Sequence, residues 1–296
     1  DGLSVLSHRI SVLKGMVDSE CDGYVQATIA GFTNTMRFRH ARPLVNLPSV
    51  EKPYGAEIRG CLTAPDGYTL CGADMTSLED TTKRHYMKPL DPDYVAEMSR
   101  DGFDPHLDLA KHAGVITQED IDKHNSGERS LKTLRKNYKV VNYSATYGIG
   151  ADKLARETGM SLREARSLKD AFWSRNWSVQ KVAESAKVKE CLDGFWLWNP
   201  VSNFWYSLRN EKDRFSTLNQ GTGVFCFDSW VAACRKQGIK TIGQFHDEVI
   251  ALVEEGGETV VRDKMEKAVS QLNEELSLNV PLGTDVQFGN TYADIH

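Results

Sequence analysis

The stretch Tyr68-Thr69-Leu70-Cys71-Gly72-Ala73-Asp74-Met75-Thr76-Ser77-Leu78-Glu79 decides how the rest of the chain is read. It follows an Asp66-Gly67 turn and stays mostly apolar until it reaches an acid. That pattern predicts a short buried strand. Asp74 then stands where strand gives way to loop, and a rigid sheet can hold a carboxylate there as a metal ligand. An Asp in that position also caps a following helix, and on this segment alone capping is the stronger reading.

Working outward, a second acidic group stands far along the chain. Thr241–Phe245 and Val249–Val253 read as the arms of a hairpin, with His246, Asp247 and Glu248 at its polar tip. Alone, this is as readily a plain turn as a site. Two carboxylates from distant positions, Asp74 and Asp247, can bridge two Mg²⁺ ions in phosphoryl transfer. Between them the chain is almost wholly helical over 89–188: Asp104-Pro105 opens one helix and Ser130 caps another. Phe195–Trp198, the turn-forming 199–203 and Phe204–Tyr206 predict another hairpin. Helices are expected over 213–237 and 258–276, and Leu3–Met16 has helical spacing. The order of elements predicts an α+β fold, an antiparallel sheet with a helical insertion.

Arg135, Lys139, Tyr143 and Tyr147 recur every fourth residue, so they project from one stripe of a helix. Two cations can grip phosphates as charge-assisted hydrogen bonds, and two rings can stack on a base. A solvated basic face grading into an apolar one explains the same spacing. A short basic cluster, Arg37, Arg39, His40 and Arg42, precedes a loop-like stop at Asn46-Leu47-Pro48.

With 296 residues, 40% of them apolar and 26% charged, the chain can bury a substantial core in about two domains. No run approaches the roughly 18 apolar residues of a membrane helix, and residues 1–13 carry no basic-then-apolar signal. The first residue is Asp1 rather than Met, so the chain reads as a piece of something longer. A formal charge of −5 argues against nucleic acid held by bulk charge, though not against a local basic groove. Six scattered cysteines read as reduced thiols with no zinc site.

Together, the strand-end acid, the basic helix and the His-Asp-Glu turn resemble, in that order, the three signature motifs of family A DNA polymerases, the bacterial polymerase I and T7-type phage enzymes. Thr35-Met36-Arg37 and Asn46-Leu47-Pro48 resemble the family's palm segment at the primer–template minor groove. Ile58-Arg59 resembles the Ile-Arg ahead of the first motif, and Asp104-Pro105-His106 the Asp-x-His that opens a fingers helix. Gln220-Gly221-Thr222 is similar to the palm-helix Gln-Gly on the template side. Phe288–His296 is similar to family C-termini and is expected to be the natural end. The resemblance covers residues 3–296. It departs where many relatives place an Arg and an Asn ahead of the Gln: here Lys212 and Ser216 hold those positions, with Arg214 and Asn219 nearby.

The resemblance implies an α+β polymerase right hand: an antiparallel palm sheet, a helical fingers insertion and a residual thumb base around Leu3–Val17. Residues 1–88 would hold the thumb base and first part of the palm, 89–190 the fingers, and 191–296 the second part of the palm. The implied reaction is templated addition of deoxynucleotides to a primer 3′-OH by two-metal-ion phosphoryl transfer, in a fragment without the exonuclease domain. Asp74, Asp247 and Met75 would hold two Mg²⁺ ions, for which Mn²⁺ can substitute, and Glu248 would support the metal or the primer end. Arg135, Lys139 and His106 would bind the triphosphate, Lys139 also acting in catalysis. Glu79 would exclude a 2′-OH, Tyr143 would lie under the sugar and Tyr147 near the templating base. Arg37, Asn46, Arg59, Gln220 and His246 would contact DNA. Implied partners are primer–template DNA, dNTPs, and an N-terminal exonuclease/thumb segment or processivity factor. The implied location is the cytoplasm of a bacterium or phage-infected host, neither membrane-bound nor secreted. A single-subunit RNA polymerase is the nearest alternative, opposed by Glu79 and by Glu248 where Ser is expected. An HD-type phosphohydrolase needs more His ligands than His106 and His112 offer, and a non-catalytic DNA-binding fragment is the third alternative.

Overall fold

Helix α1 (Gly2–Ser19) opens the chain, and two small hairpins follow: β1 (Glu20–Cys21) with β2 (Tyr24–Val25), and β3 (Thr28–Phe32) with β4 (Phe38–Ala41). Next come α2 (Gly55–Gly60), the strand β5 (Tyr68–Met75) and α3 (Leu78–Met87). Seven helices follow: α4 (Pro92–Met98), α5 (Pro105–His112), α6 (Gln118–Asn125), α7 (Lys132–Thr146), α8 (Ala151–Thr158), α9 (Leu162–Arg175) and α10 (Trp177–Ser185). Three strands, β6 (Val188–Cys191), β7 (Gly194–Asn199) and β8 (Phe204–Leu208), lead to the long helix α11 (Arg214–Lys236). The chain closes with β9 (Lys240–Phe245), β10 (Glu248–Glu254), α12 (Glu258–Leu276) and β11 (Thr284–Gly289). This computed structural model describes residues 2–41, 43–44, 46–245 and 247–296. His246 and Arg42, both singled out above, lie outside the described residues.

The chain divides into two units, 1–81 with 221–296, and 82–220. The three-part division at 88 and 190 named regions by role. In the two-unit division the chain crosses at 81/82 and 220/221, and β6–β8 group with the helices.

In the first unit the central sheet runs β11-β5-β10-β9, every neighbour antiparallel. Side chains alternate between its faces. Cys71, Ala73 and Met75 of β5, with Val249, Ala251 and Val253 of β10, point into the main core. Phe227, Trp230 and Val231 of α11 and Met265, Val269 and Leu272 of α12 belong to the same core. Burying such aliphatic and aromatic side chains stabilises by about 1.5–3 kcal/mol each. The opposite face carries Leu70 and Ile250, packed with Tyr292 and Ile295 of the C-terminal segment. Gly72 allows that contact: a Cβ there would stand 2.9 Å from Ile295 Cδ1. Asp74 and Glu248 share this second face, because Asp74 pairs with Glu248 and Gly72 with Ile250.

In the second unit α5, α7, α8 and α9 bury Leu107, Leu109, Tyr138, Val141, Leu154 and Phe172 in a core of their own. Asp104 caps α5 as its sequence predicts, accepting from the backbone N–H of His106 (2.8 Å) and Leu107 (3.1 Å), with Pro105 in the first turn. The expected Ser130 cap of α7 is not found. Leu131 holds the cap position without a side-chain hydrogen bond, and its burial in the core sets where the helix starts. The aromatic hairpin forms as expected, and its turn is built by Asn199, whose Oδ1 accepts from the N–H of Val201 (3.0 Å) and Ser202 (3.2 Å).

Candidate active site

Strand register gathers the acids of the first unit. Asp74, near the end of β5, lies opposite Glu248 on one neighbouring strand and opposite Asp285 on the other. Asp247 precedes β10, and its carbonyl accepts from Met75 N–H at 3.3 Å. Asp74 is therefore a strand residue, not the cap of the helix that follows. The Asp74 residue is open to solvent, yet the protein packed around its carboxyl, then the charges of Glu248 and Asp247, push its pKa up to about 7. His296 acts the other way.

Glu248 is hydrogen-bonded on one side and has an imidazole neighbour on the other. Tyr292 Oη donates to its Oε2 at 3.0 Å, and His296 Nε2 lies 3.2 Å from its Oε1. Burial, then the charge of Glu248, raises the pKa of the Tyr292 phenol, so it stays a donor. Arg59 backs this arrangement. Its guanidinium lies 4.7 Å from the centre of the Tyr292 ring, and its Nε donates to the Pro48 carbonyl at 2.7 Å.

Carboxylates crowded at a solvent-open strand end are a hard oxygen donor set, suited to a divalent cation. Among the described residues no three His, Cys, Asp or Glu side chains form a complete cage. Met75 can contribute only its backbone carbonyl, since its side chain is in the core.

The second unit carries the cations. On α7, Tyr138, Val141 and Ala145 face inward, while Lys139 and Tyr143 are exposed and Arg135 partly so. Tyr147 occupies the C-cap position and is also exposed. Arg135 Nε donates to Asp104 Oδ2. Burial opposes the Asp104 charge, but hydrogen bonds from Arg135 and from the Leu107 and His106 N–H groups outweigh it and hold its carboxyl below the usual carboxylate range. Lys139 Nζ lies 5.8 Å from the Tyr143 ring centre, and the His106 ring is also 5.8 Å from that of Tyr143.

His106 is buried, and burial lowers its pKa, so the imidazole is neutral near pH 7. Its tautomer follows from Asn142. The Nδ2 of Asn142 donates to the Pro105 carbonyl at 2.9 Å, which can only accept, and lies 3.1 Å from His106 Nδ1. His106 Nδ1 is thus an acceptor, and its proton sits on Nε2.

The remaining expected residues are distributed unevenly. Glu79 lies in the first turn of α3, with Arg37 at 3.9 Å. Asn46 is exposed with a positive φ of 52°, and Gln220 is half-buried on α11. Arg59, expected at the DNA, is buried, with its Nε on the Pro48 carbonyl, its guanidinium over the Tyr292 ring and its Nη1 without a hydrogen-bond partner. Asn219 is also buried, accepting from Thr82 Oγ1 at 2.9 Å. Tyr292, His296, Asp285 and Asn142, which border the expected site residues, carry no direct sequence signal for it. Their partners are remote in sequence, and only the spacing of Asn142, three after Lys139, hinted at a shared side of α7.

The fold is that of a polymerase domain. It matches the POL domain of Pol1 from M. smegmatis, solved in complex with DNA primer-template and dNTP, at a TM-score of 0.73 and 21% identity over 98% of this chain and 53% of that one. The family model for DNA polymerase family A matches residues 3–195. DNA polymerase I of Pseudomonas aeruginosa is 25% identical over 272 residues, 86% of this chain and 28% of that protein. The thermostable DNA polymerase I of Thermus filiformis is 24% identical over 282 residues, 88% of this chain and 31% of that protein. The chain belongs to DNA polymerase family A, and spans under a third of the length of these two relatives. Among the described residues no helix is long and apolar enough to cross a membrane.

Proposed function

We propose that the chain is the nucleotidyl-transfer region of a DNA-directed DNA polymerase, adding deoxynucleotides to a primer 3′-OH on a DNA template and releasing pyrophosphate. The observation that carries this reading is the register that sets Glu248 and Asp285 on either side of Asp74, with Asp247 bonded to Met75. Two divalent ions, Mg²⁺ or Mn²⁺, held by Asp74, Asp247 and the Met75 carbonyl, would polarise the phosphoryl oxygens and make the 3′-hydroxyl easier to deprotonate. Glu248, held by the Tyr292 hydroxyl, supports that ligand set. Arg135 and Lys139 pair with phosphate oxygens, and His106 donates from Nε2, together countering charge on the leaving pyrophosphate.

Glu79 bars a ribose 2′-OH, Tyr143 lies under the sugar, and Tyr147 serves the templating base. Arg37, Asn46, Gln220 and His246 contact primer–template DNA, while Arg59 acts indirectly by holding Tyr292. In right-hand terms, the β5–β10 sheet is the palm, the helices within 89–190 are the fingers, and α1 belongs to the thumb base. The work is done in the cytoplasm of a bacterium or infected host, where an N-terminal thumb or exonuclease segment, or a processivity factor, lengthens the products. Primer extension with Mg²⁺ and four dNTPs tests the proposal. Templated products from dNTPs but not from NTPs are expected. No extension, or equal use of NTPs, would overturn it.

A further inference from the structure

The three-stranded sheet β6-β7-β8 of the 82–220 unit has two unlike faces. On one, Leu197, Tyr206 and Leu208 are buried, and Asn199 Nδ2 donates to the Leu218 carbonyl at 3.2 Å. The other face is built from indoles and lysines. Trp198 pairs with Trp205 across the strands, their ring centres 5.3 Å apart, and Lys189 pairs with Trp196. Lys187 joins the row, since its carbonyl accepts from Trp198 N–H at 2.9 Å. Lys189 Nζ stands 4.2 Å from the Trp205 ring centre, and Lys187 Nζ 5.5 Å from Trp205 and 6.0 Å from Trp198. Both lysines are exposed, and the indoles are half-buried.

On that face two lysines outnumber one acid, Asp193 beside Trp196. Glu190 pairs with Phe195 and, by alternation, points to the other face. Asp193, in the turn, accepts from Trp196 Nε1 at 3.0 Å. A ligand that matches this surface offers flat apolar rings to the indoles and regularly spaced anions to the lysines. A nucleic-acid single strand has both. A duplex does not, because its base faces are covered by its own stack.

We propose that this face is a stacking platform for single-stranded DNA, with Trp198 and Trp205 receiving bases and Lys187 and Lys189 pairing with the phosphates beside them. Only the choice of DNA over RNA rests on the polymerase reading. The face itself is argued from its own side chains, and its strand binding needs no metal and no dNTP.

The test is fluorescence anisotropy of the full chain with labelled oligo-dT, oligo-U and a blunt duplex, without metal or dNTP, the strands about 15 nucleotides long to fit ordinary single-strand site sizes. Oligo-dT is expected to bind more tightly than the duplex and to quench tryptophan emission. Replacing both tryptophans (Trp198→Ala with Trp205→Ala) should weaken oligo-dT about tenfold or more, from the stacking lost. Replacing both lysines (Lys187→Gln with Lys189→Gln) should lower the slope of log affinity against log salt by about 1.4, two released counterions on a single strand. The lysine pair is exposed, so this arm stands even where the tryptophan variant fails to fold. Unchanged oligo-dT binding in the lysine variant, or equal binding of the duplex, would overturn the proposal, and tighter oligo-U binding would overturn the assignment to DNA. An Asp74→Ala chain separates the two readings: it should lose extension yet bind oligo-dT as the parent does. Extension with no single-strand binding defeats the platform alone, and strand binding with no extension by the parent defeats the polymerase reading alone.

Discussion

The two units hold their charged groups by opposite devices. In the 1–81/221–296 unit, acids far apart in sequence are set side by side by strand register, and like charges meet. In the 82–220 unit, cations four residues apart are lined up by one helix, and the chain supplies its own counter-charge through Asp104. The first arrangement is electrostatically incomplete: the Asp74 carboxyl is pushed up to about 7 by the protein packed around it and then by its acidic neighbours. The second is partly compensated, with Arg135 anchored by Asp104 and the His106 tautomer fixed by Asn142. Side chains placed by a sheet can therefore be left waiting for a cation, while those on the helix are preorganised before any anion arrives.

The largest expected effect tests the incomplete half. Asp74→Ala or Asp247→Ala should lower primer extension by at least roughly 10³-fold, beyond the 10²–10³ typical of losing one stabilising donor. Affinity for primer–template, read by gel shift, should stay close to that of the parent. Activity within tenfold of the parent in either variant would remove the metal role.

Next comes the partly compensated half. Lys139→Ala should reduce single-turnover kcat by roughly 10²-fold, as expected for one charge-stabilising group. Because Arg135 is anchored by Asp104, Lys139→Arg should recover only part of the loss. Full recovery would show that a charge at position 139 suffices and that the shape of the cation does not matter.

A smaller change separates the two halves by substrate. As the resemblance implies, the Tyr143 hydroxyl replaces the missing 3′-OH of a dideoxynucleotide, so Tyr143→Phe should discriminate against ddNTPs by about tenfold, the worth of one hydrogen bond. Equal ddNTP use by parent and variant in a competition assay would remove Tyr143 from the sugar.

The smallest effect is on stability. The Asp74 carboxyl titrates at about 7 in the folded chain against 3.8 ordinarily, so the folded state holds the proton more tightly. Its contribution is fully present below about pH 4, falls as pH rises, and is lost above about pH 7. Asp74→Asn should flatten that decline and stabilise the metal-free chain at pH 8 by about 1 kcal/mol, a figure reduced because the residue is open to water. Thermal melts at pH 4 and pH 8 check this, and Mg²⁺ should raise the melting point of the parent more than that of the variant. A variant that melts at or below the parent at pH 8 would argue against repulsion at Asp74.

How far these halves could be read in advance follows the same division. The β5 strand, the hairpin ending at Asp247 and Glu248, and the four-residue repeat on α7 were legible because period and turn chemistry are local signals. The Asp104 cap was legible too, since its Asp-Pro pair carries its own signature. What stayed hidden needed three dimensions. Nothing near Tyr292 or His296 in the sequence announces Glu248 as their partner. Arg59 reads as a surface cation until α2 buries it against Pro48. Ser130 has the chemistry of a cap, but the burial of Leu131 placed the helix start one residue later.

The position of His296 carries a practical consequence for handling the protein. Ile295 is wedged against Gly72, and the last side chain reaches Glu248. A peptide fused after residue 296 would therefore start beside the acidic cluster. A polyhistidine tag there would set metal-chelating imidazoles next to the carboxylates proposed to hold a divalent ion, and would distort any titration of metal against activity. Affinity handles for such measurements belong before residue 1, or must be cleaved off.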